Sequence, residues 1–268
     1  MTRYPLAGCV AKLQRAEAHI DTLHAKIGTF LKGEPVPYGL IPEVDVQASK
    51  ALWRLRVIEE PPLEWSTITG DYVQNLRAAL DHLIWVLVKA NGFEPTNSNA
   101  FPIFDVKPPD KSSHGERQRW NRQVYGLHPS VLRFLDLCQP YKGPDRPSAH
   151  ILAGLRTLSN EDKHRTLLPA FVAVDERTQS KLRGLETRDV EKPDLEKLEV
   201  RAGRPLKEHD VVVEMPIVIT GPNPELKLEA ELALDVGIGR EPIPLKGLEQ
   251  MGQMVASILV HSQRFLGE

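Results

Sequence analysis

Apolar residues open the chain at steps of three and four: Leu6, Val10, Leu13, Ala16, Ile20, Leu23, Ile27 and Leu31. That is the period of a helix with one apolar stripe, and Gly33, Pro35 and Pro37 are the residues that stop one. The pattern predicts a long helix over residues 5–32. Beyond it the apolar positions loosen into the partial alternation Ala51, Trp53, Leu55 and Val57, ended by Glu59–Glu60–Pro61–Pro62. This predicts a strand over 50–59. Helical spacing returns over 66–90, where Ser66 or Thr67 is placed to cap the start and Asn91–Gly92 the end.

Residues 93–117 are rich in Pro, Asn, Ser and Asp and read as loop around the short apolar run Phe101–Phe104. Helical segments are expected within 115–158: Gly115–Tyr125, a second after Pro129, and Ser148–Leu158. Val, Ile and alternating Glu–Leu residues make strand candidates of Leu168–Val174, Val211–Thr220 and Leu226–Val236. Gly221–Pro222–Asn223–Pro224 is the expected hairpin turn between the last two. The charged run Lys181–Glu208, with Pro193 and Pro205, reads as a solvated excursion. A final helix is expected over 245–265. Strands near 50–59 and 168–236 lie far apart in the chain, so they are expected to complete one sheet. The architecture predicted is a single α+β domain over 1–268: a long-helix bundle with a small, mostly antiparallel sheet built from non-adjacent segments.

Composition narrows what such a domain can do. The chain has 268 residues, 34 Lys and Arg against 36 Asp and Glu, and a formal net charge of −2. A generally basic nucleic-acid-binding surface is excluded, and any RNA contact has to come from a local patch. Arg117, Arg119 and Arg122 around Trp120 are the best basic–aromatic candidates, although a solvated helix face is the favoured account of them. Hydrophobic residues make up 41% and charged residues 26% of the chain, a globular balance. The longest apolar run, Leu83–Val88, is six residues, far short of a membrane span. Lys12, Arg15, Glu17 and His19 interrupt any secretory core. Two cysteines, Cys9 and Cys138, make neither a disulfide framework nor a zinc cluster. A cytoplasmic setting with no membrane association is expected.

The candidate chemistry sits in two segments. On a helix advancing about 100° per residue, Tyr72, Val73, Leu76, Leu80, Leu83, Ile84 and Leu87 share the core side. Asp71, Asn75, Ala78 and His82 form a polar stripe opposite them. Arg77 and Asp81, four residues apart, are spaced to pair along the flank. Surface stripes are normally Glu, Lys and Arg, the better helix formers, so Asp, Asn and His in this position need an explanation. One reading is a hydrogen-bonded network between helices, with His82 a satisfied partner. The other is a site in which His82 acts as acid–base and Arg77 stabilises developing negative charge. The second segment, Asn160-Glu161-Asp162-Lys163-His164-Arg165, follows a predicted helix. It reads either as a well-charged helix end or as a set of groups suited to a phosphate or a labile proton.

If the two segments pack together, His82, His164, Arg77 and Arg165 fall into one pocket, with Asp71, Asn75, Asp81, Asn160 and Asp162 as its binding groups. Asp71, His82, Asp162 and His164 lack a recognised metal-ligand spacing, and no metal or other cofactor is expected. Ser66 and Ser159 lack a nucleophile-elbow setting, and Gly237–Ile238–Gly239–Arg240 matches no phosphate loop.

These two segments resemble an uncharacterised bacterial family. Its members share a helix reading Gly-Asp-x-x-x-Asn-Leu-Arg-x-Ala-Leu-Asp-His-Leu, a Phe-Pro-Ile, and an Asn-x-x-Asp-Lys-His-Arg. Here these are Gly70–Leu83, Phe101–Ile103 and Asn160–Arg165. That resemblance brings no activity with it. A broader similarity is to the HEPN superfamily of helical bundles, whose signature is an Arg followed four to six residues on by a His, as in Arg77-x4-His82. It implies a metal-independent endoribonuclease of a defence or toxin system, acting as a homodimer on RNA. The chain departs from that pattern at Ala78, where active members often carry a polar residue, and in its sheet-forming segments. Arg77 and His82 also lie about 140° apart on an ideal helix. The alternative is a non-catalytic module that binds a ligand or a protein through a structural polar network.

Overall fold

The periodicity seen at the start of the chain closes into a helix, α1, at Ala7–Leu31, with Cys9, Ala16, Leu23 and Ile27 buried along its stripe. The computed structural model describes residues 5–108, 115–143, 147–173, 182–191, 194–200, 205–230 and 234–266. Helices and small antiparallel sheets from separate segments make this an α+β fold. It divides into two compact units.

The first unit, residues 1–23, 66–167 and 246–268, is the helical one. Its axis is α2, Glu64–Ala90, whose core side Tyr72, Val73, Leu76, Leu80, Leu83 and Ile84 is sealed from solvent. Gly92, with φ +81°, ends it in the left-handed conformation open to glycine. The other end differs from the expectation. The helix already begins at Glu64, so Ser66 does not cap it and instead donates its buried hydroxyl to the Leu167 carbonyl. After α2 come α3 (Gly115–Gln123), α4 (Pro129–Leu137), α5 (Ile151–His164) and α6 (Leu245–Ser262). Tyr72 donates to Leu248 O at 2.5 Å, and burial pushes its phenol well above the usual tyrosine range.

The helix predicted at 148–158 is shifted and longer. Its cap is His150, whose ring nitrogen accepts from Leu152 N at 3.2 Å, and it runs on through the whole polar segment to His164. Burial lowers the His150 pKa, opposed by the nearby Asp105 charge, and an accepting nitrogen requires the neutral ring. The folded state therefore favours the unprotonated form. This contribution is complete above the ordinary pKa of 6.5 and is lost as pH falls through the lowered folded value. Urea unfolding at pH 7.5 and 5.5 should show the wild type losing more stability than His150→Asn, which keeps an acceptor that does not titrate. The difference should be at most about 1 kcal/mol, because the half-buried ring is partly screened. Equal losses would show that His150 does not cap α5 through its neutral ring.

The second unit, residues 24–65 and 168–245, holds the strands. The expected 50–59 strand is β2, Lys50–Val57, with Ala51, Leu52, Trp53 and Leu55 buried. Its hairpin partner β1, Tyr38–Asp45, pairs Tyr38 with Val57 and Asp45 with Lys50. β3 is Pro169–Ala173, β4 Leu182–Arg188, β5 Glu199–Val200, β6 Val211–Pro216, β7 Glu225–Ala230, β8 Leu234–Ile238 and β9 Ile243–Pro244. They do not complete one sheet. Among the described residues they form three sheets, β1-β2-β6-β5, β3-β8-β9 and β4-β7.

The turn at 221–224 therefore does not close a hairpin, since β6 pairs with β2 and β5 while β7 pairs with β4. Asp189 organises that turn instead, accepting from Asn223 N at 2.9 Å. The run 181–208 is not simply a solvated excursion either. It supplies β4 and β5, and Val190, Leu198 and Leu206 are buried. Parts of these readings, residues 109–114, 144–146, 174–181, 192–193, 201–204 and 231–233, lie outside the described residues. Aromatic edges assemble the unit's core: Phe30 meets Trp65 at 5.2 Å and Tyr38 meets Phe171 at 5.5 Å between centroids.

Candidate functional site

The polar side of α2 divides into three settings along its length. At the middle, Arg77 and Asp81 grip the Phe101 peptide. The guanidinium donates to Phe101 O at 2.6 Å and pairs with Asp81 at 2.9 Å, while Asp81 Oδ1 accepts from Phe101 N at 2.8 Å. Gln139, fully buried, holds the next residues. Its amide donates to Pro102 O and Leu135 O at 2.9 Å each and accepts from Phe104 N at 3.0 Å. The Phe-Pro-Ile run is thus fixed by its backbone, and the helical Arg and Asp are the hands that fix it.

Toward the start of α2, the helix meets the last turns of α5. Gln74 donates to Asp162 Oδ2 and to Ser159 O, both at 3.0 Å, and the Ser159 hydroxyl reaches back to Gln74 Oε1 at 3.3 Å. Gly70 permits this approach, because a Cβ there would stand 2.9 Å from the Asp162 carboxyl carbon. Beside the contact lies an open hollow of about 260 Å³ lined by Ser66, Thr67, Gly70, Asp71, Asp162, Arg165, Thr166 and Leu167. Two aspartates, one arginine and two threonines therefore line one small space. Asn75 lies beside it on α2 and donates to Asp71 O at 2.7 Å, a bond within the helix. Arg165 is the C-cap of α5, its backbone N–H bonded to Glu161 O.

Toward the end of α2, His82 is exposed and lines a different hollow, about 470 Å³, with Pro5, Gly8, Cys9, Trp85, Val86 and Lys89. Cys9 is at its back as a thiol, since burial pushes its pKa up to about 11.

Of the residues singled out in the sequence, the structure unites Asp71, Asp162 and Arg165. Neither of these two hollows brings the histidines and arginines together. His82 is eleven residues along α2 from Asp71, about 16 Å of helix rise. Arg77 and Asp81 line neither hollow, and His164 and Asn160 are exposed on α5 outside the hollow that Asp162 lines. Sequence reading missed Gln74, Thr67, Thr166 and Gly70 at the first hollow, and Trp85, Lys89 and Gly8 at the second. A glycine inside a helix, unfavourable by about 1 kcal/mol, was the available signal for a close approach at residue 70. A tryptophan three residues after His82 was the available signal for the other.

Among the described residues, no three His, Cys, Asp or Glu side chains stand together as a metal site, and no helix is long and apolar enough to cross a membrane. No protein-family model, curated protein or solved structure matches the chain.

Proposed function

We propose that this protein is a binding module whose site is the hollow between α2 and α5. Its ligand is a small molecule carrying both a cationic and an anionic group. The observation that carries the reading is the meeting of Asp71, Asp162 and Arg165 around one open space of about 260 Å³. Asp162 is pre-set by its hydrogen bond from Gln74, so its orientation is fixed before a ligand arrives. A carboxylate pair recognises an ammonium, a guanidinium takes a carboxylate or phosphate in bidentate fashion, and Thr67 and Thr166 add neutral donors and acceptors. Free amino acids have this composition and a suitable size.

The test is thermal-shift and NMR titration with a panel of zwitterionic amino acids. At least one is expected to raise the melting temperature in a saturable way, as ligand linked to the native state must. The exposed-side-chain variants Asp71→Asn and Arg165→Gln should each weaken binding about tenfold or more without loss of fold. An inert panel, or binding indifferent to both variants, would overturn the reading.

A second reading keeps the metal-independent endoribonuclease, with RNA as substrate and a homodimer as the acting form. It is favoured by the exposure of His82 at an open hollow beside Lys89 and Trp85. The Arg77 guanidinium, engaged with Phe101 O and Asp81, gives it no support. Its distinguishing result is cleavage of RNA in the presence of a chelator that His82→Ala removes.

A further inference from the structure

We propose that the hollow between the first turn of α1 and the last third of α2 binds a planar aromatic anion, a ring bearing a carboxylate or a phosphate. This is independent of the α2–α5 reading, because no residue is shared between the two hollows. Trp85 is the anchor. Trp53, Trp65 and Trp120 are 1%, 2% and 9% exposed, whereas Trp85 is 40% exposed. An indole left on a surface offers a broad polarisable face to a second ring, a contact worth about 1 kcal/mol beyond the area it covers. The apolar side of the space is completed by Pro5, Cys9 and Val86. Its volume, about 470 Å³, is in the range of small-molecule sites.

The charge around the hollow selects the sign of the ligand. His82 and Lys89 stand three residues before and four residues after Trp85, so helical spacing brings all three to one face. Lys89 makes no ion pair with a described residue, leaving its ammonium available to a ligand, and the His82 ring adds an N–H donor. The opposite wall is the beginning of α1, a helix of 25 residues with no acidic residue in its first turn. Its positive dipole end adds to the attraction for an anion. Gly8 lines the space: a Cβ there would make ordinary contact with His82 Nδ1 at 3.5 Å, and a longer side chain would extend from this position into the hollow.

The probes are phenyl phosphate and benzoate, with benzyl alcohol as the neutral ring and inorganic phosphate as the ringless anion. They are titrated into the full chain and followed by tryptophan fluorescence and by amide NMR shifts. Saturable binding of both aromatic anions is expected, with shifts centred on residues 5–9 and 82–89 and neither control binding comparably. Lys89→Gln and Trp85→Ala should each weaken binding about tenfold. Gly8→Leu, which fills the hollow with a better helix former, should abolish binding while the circular dichroism spectrum stays unchanged. The proposal is overturned if neither aromatic anion saturates at millimolar concentration. It is equally overturned if benzyl alcohol binds as well as they do, or if Gly8→Leu binds like the wild type.

Discussion

Gln139→Leu is expected to lower the stability of the helical unit by about 3 kcal/mol, although the substitution nearly conserves volume and touches no surface. The amide is 0% exposed and makes hydrogen bonds to Pro102 O, Leu135 O and Phe104 N. A leucine fills the space and meets none of them. Leu135 O keeps a helical partner, but Phe104 N and Pro102 O are left in a dry environment, where an unmet donor or acceptor costs about 1–3 kcal/mol. Phe101, Ile103 and Phe104 are themselves buried, so the segment cannot swing out to find water without exposing them. Urea unfolding followed by circular dichroism gives the difference directly, and melting temperature should fall by roughly 5–10 °C. A loss under about 1 kcal/mol would mean that the segment is held by its side chains alone.

Asp81→Ala should rank next, at about 2–3 kcal/mol. It strips the Phe101 N–H of its acceptor and leaves the Arg77 guanidinium, 16% exposed, without its counter-charge. Removing one partner of a largely buried pair is worse than removing both, because the survivor remains desolvated. The double variant Arg77→Ala/Asp81→Ala should therefore be less destabilised than the sum of the singles, by about 1 kcal/mol. Strict additivity in that cycle would show that the two side chains act separately on the Phe101 peptide.

Much of the fold was legible. α1, α2 and α6 declare themselves because one-sided burial of a long helix forces a regular apolar spacing, and Leu76, Leu80, Leu83 and Leu87 are as buried as that spacing requires. β1 was not legible. It carries Gly39 and Pro42, residues that usually break strands, and its half-exposed face shows no alternation. Its order comes from the β2 ladder, which is a tertiary fact. The turn at 221–224 misled for the same reason: proline and glycine announce a reversal but do not choose a partner, and β6 finds its own near residue 52. β4 was hidden by the charge of its segment, since a narrow two-stranded sheet needs few apolar residues.

At the candidate site, residue chemistry in the sequence pointed to Asp71, Asp162 and Arg165, which the structure places around one hollow. It was not enough to separate them from His82 and Arg77, because a helical wheel gives direction and not the neighbour found in that direction. Arg77 points to a backbone segment twenty-four residues away, which no local pattern encodes.

The position of the Arg77–Asp81 grip on Phe101 has one further consequence. It falls between the two hollows of α2, so the stretch of helix separating them is anchored to the body of its unit. With Asp71 and His82 about 16 Å apart along the axis and no shared lining residue, changes made at one end should combine additively with changes at the other. One rod thus borders two separate hollows, and substitutions lining one can be made without constraining the other.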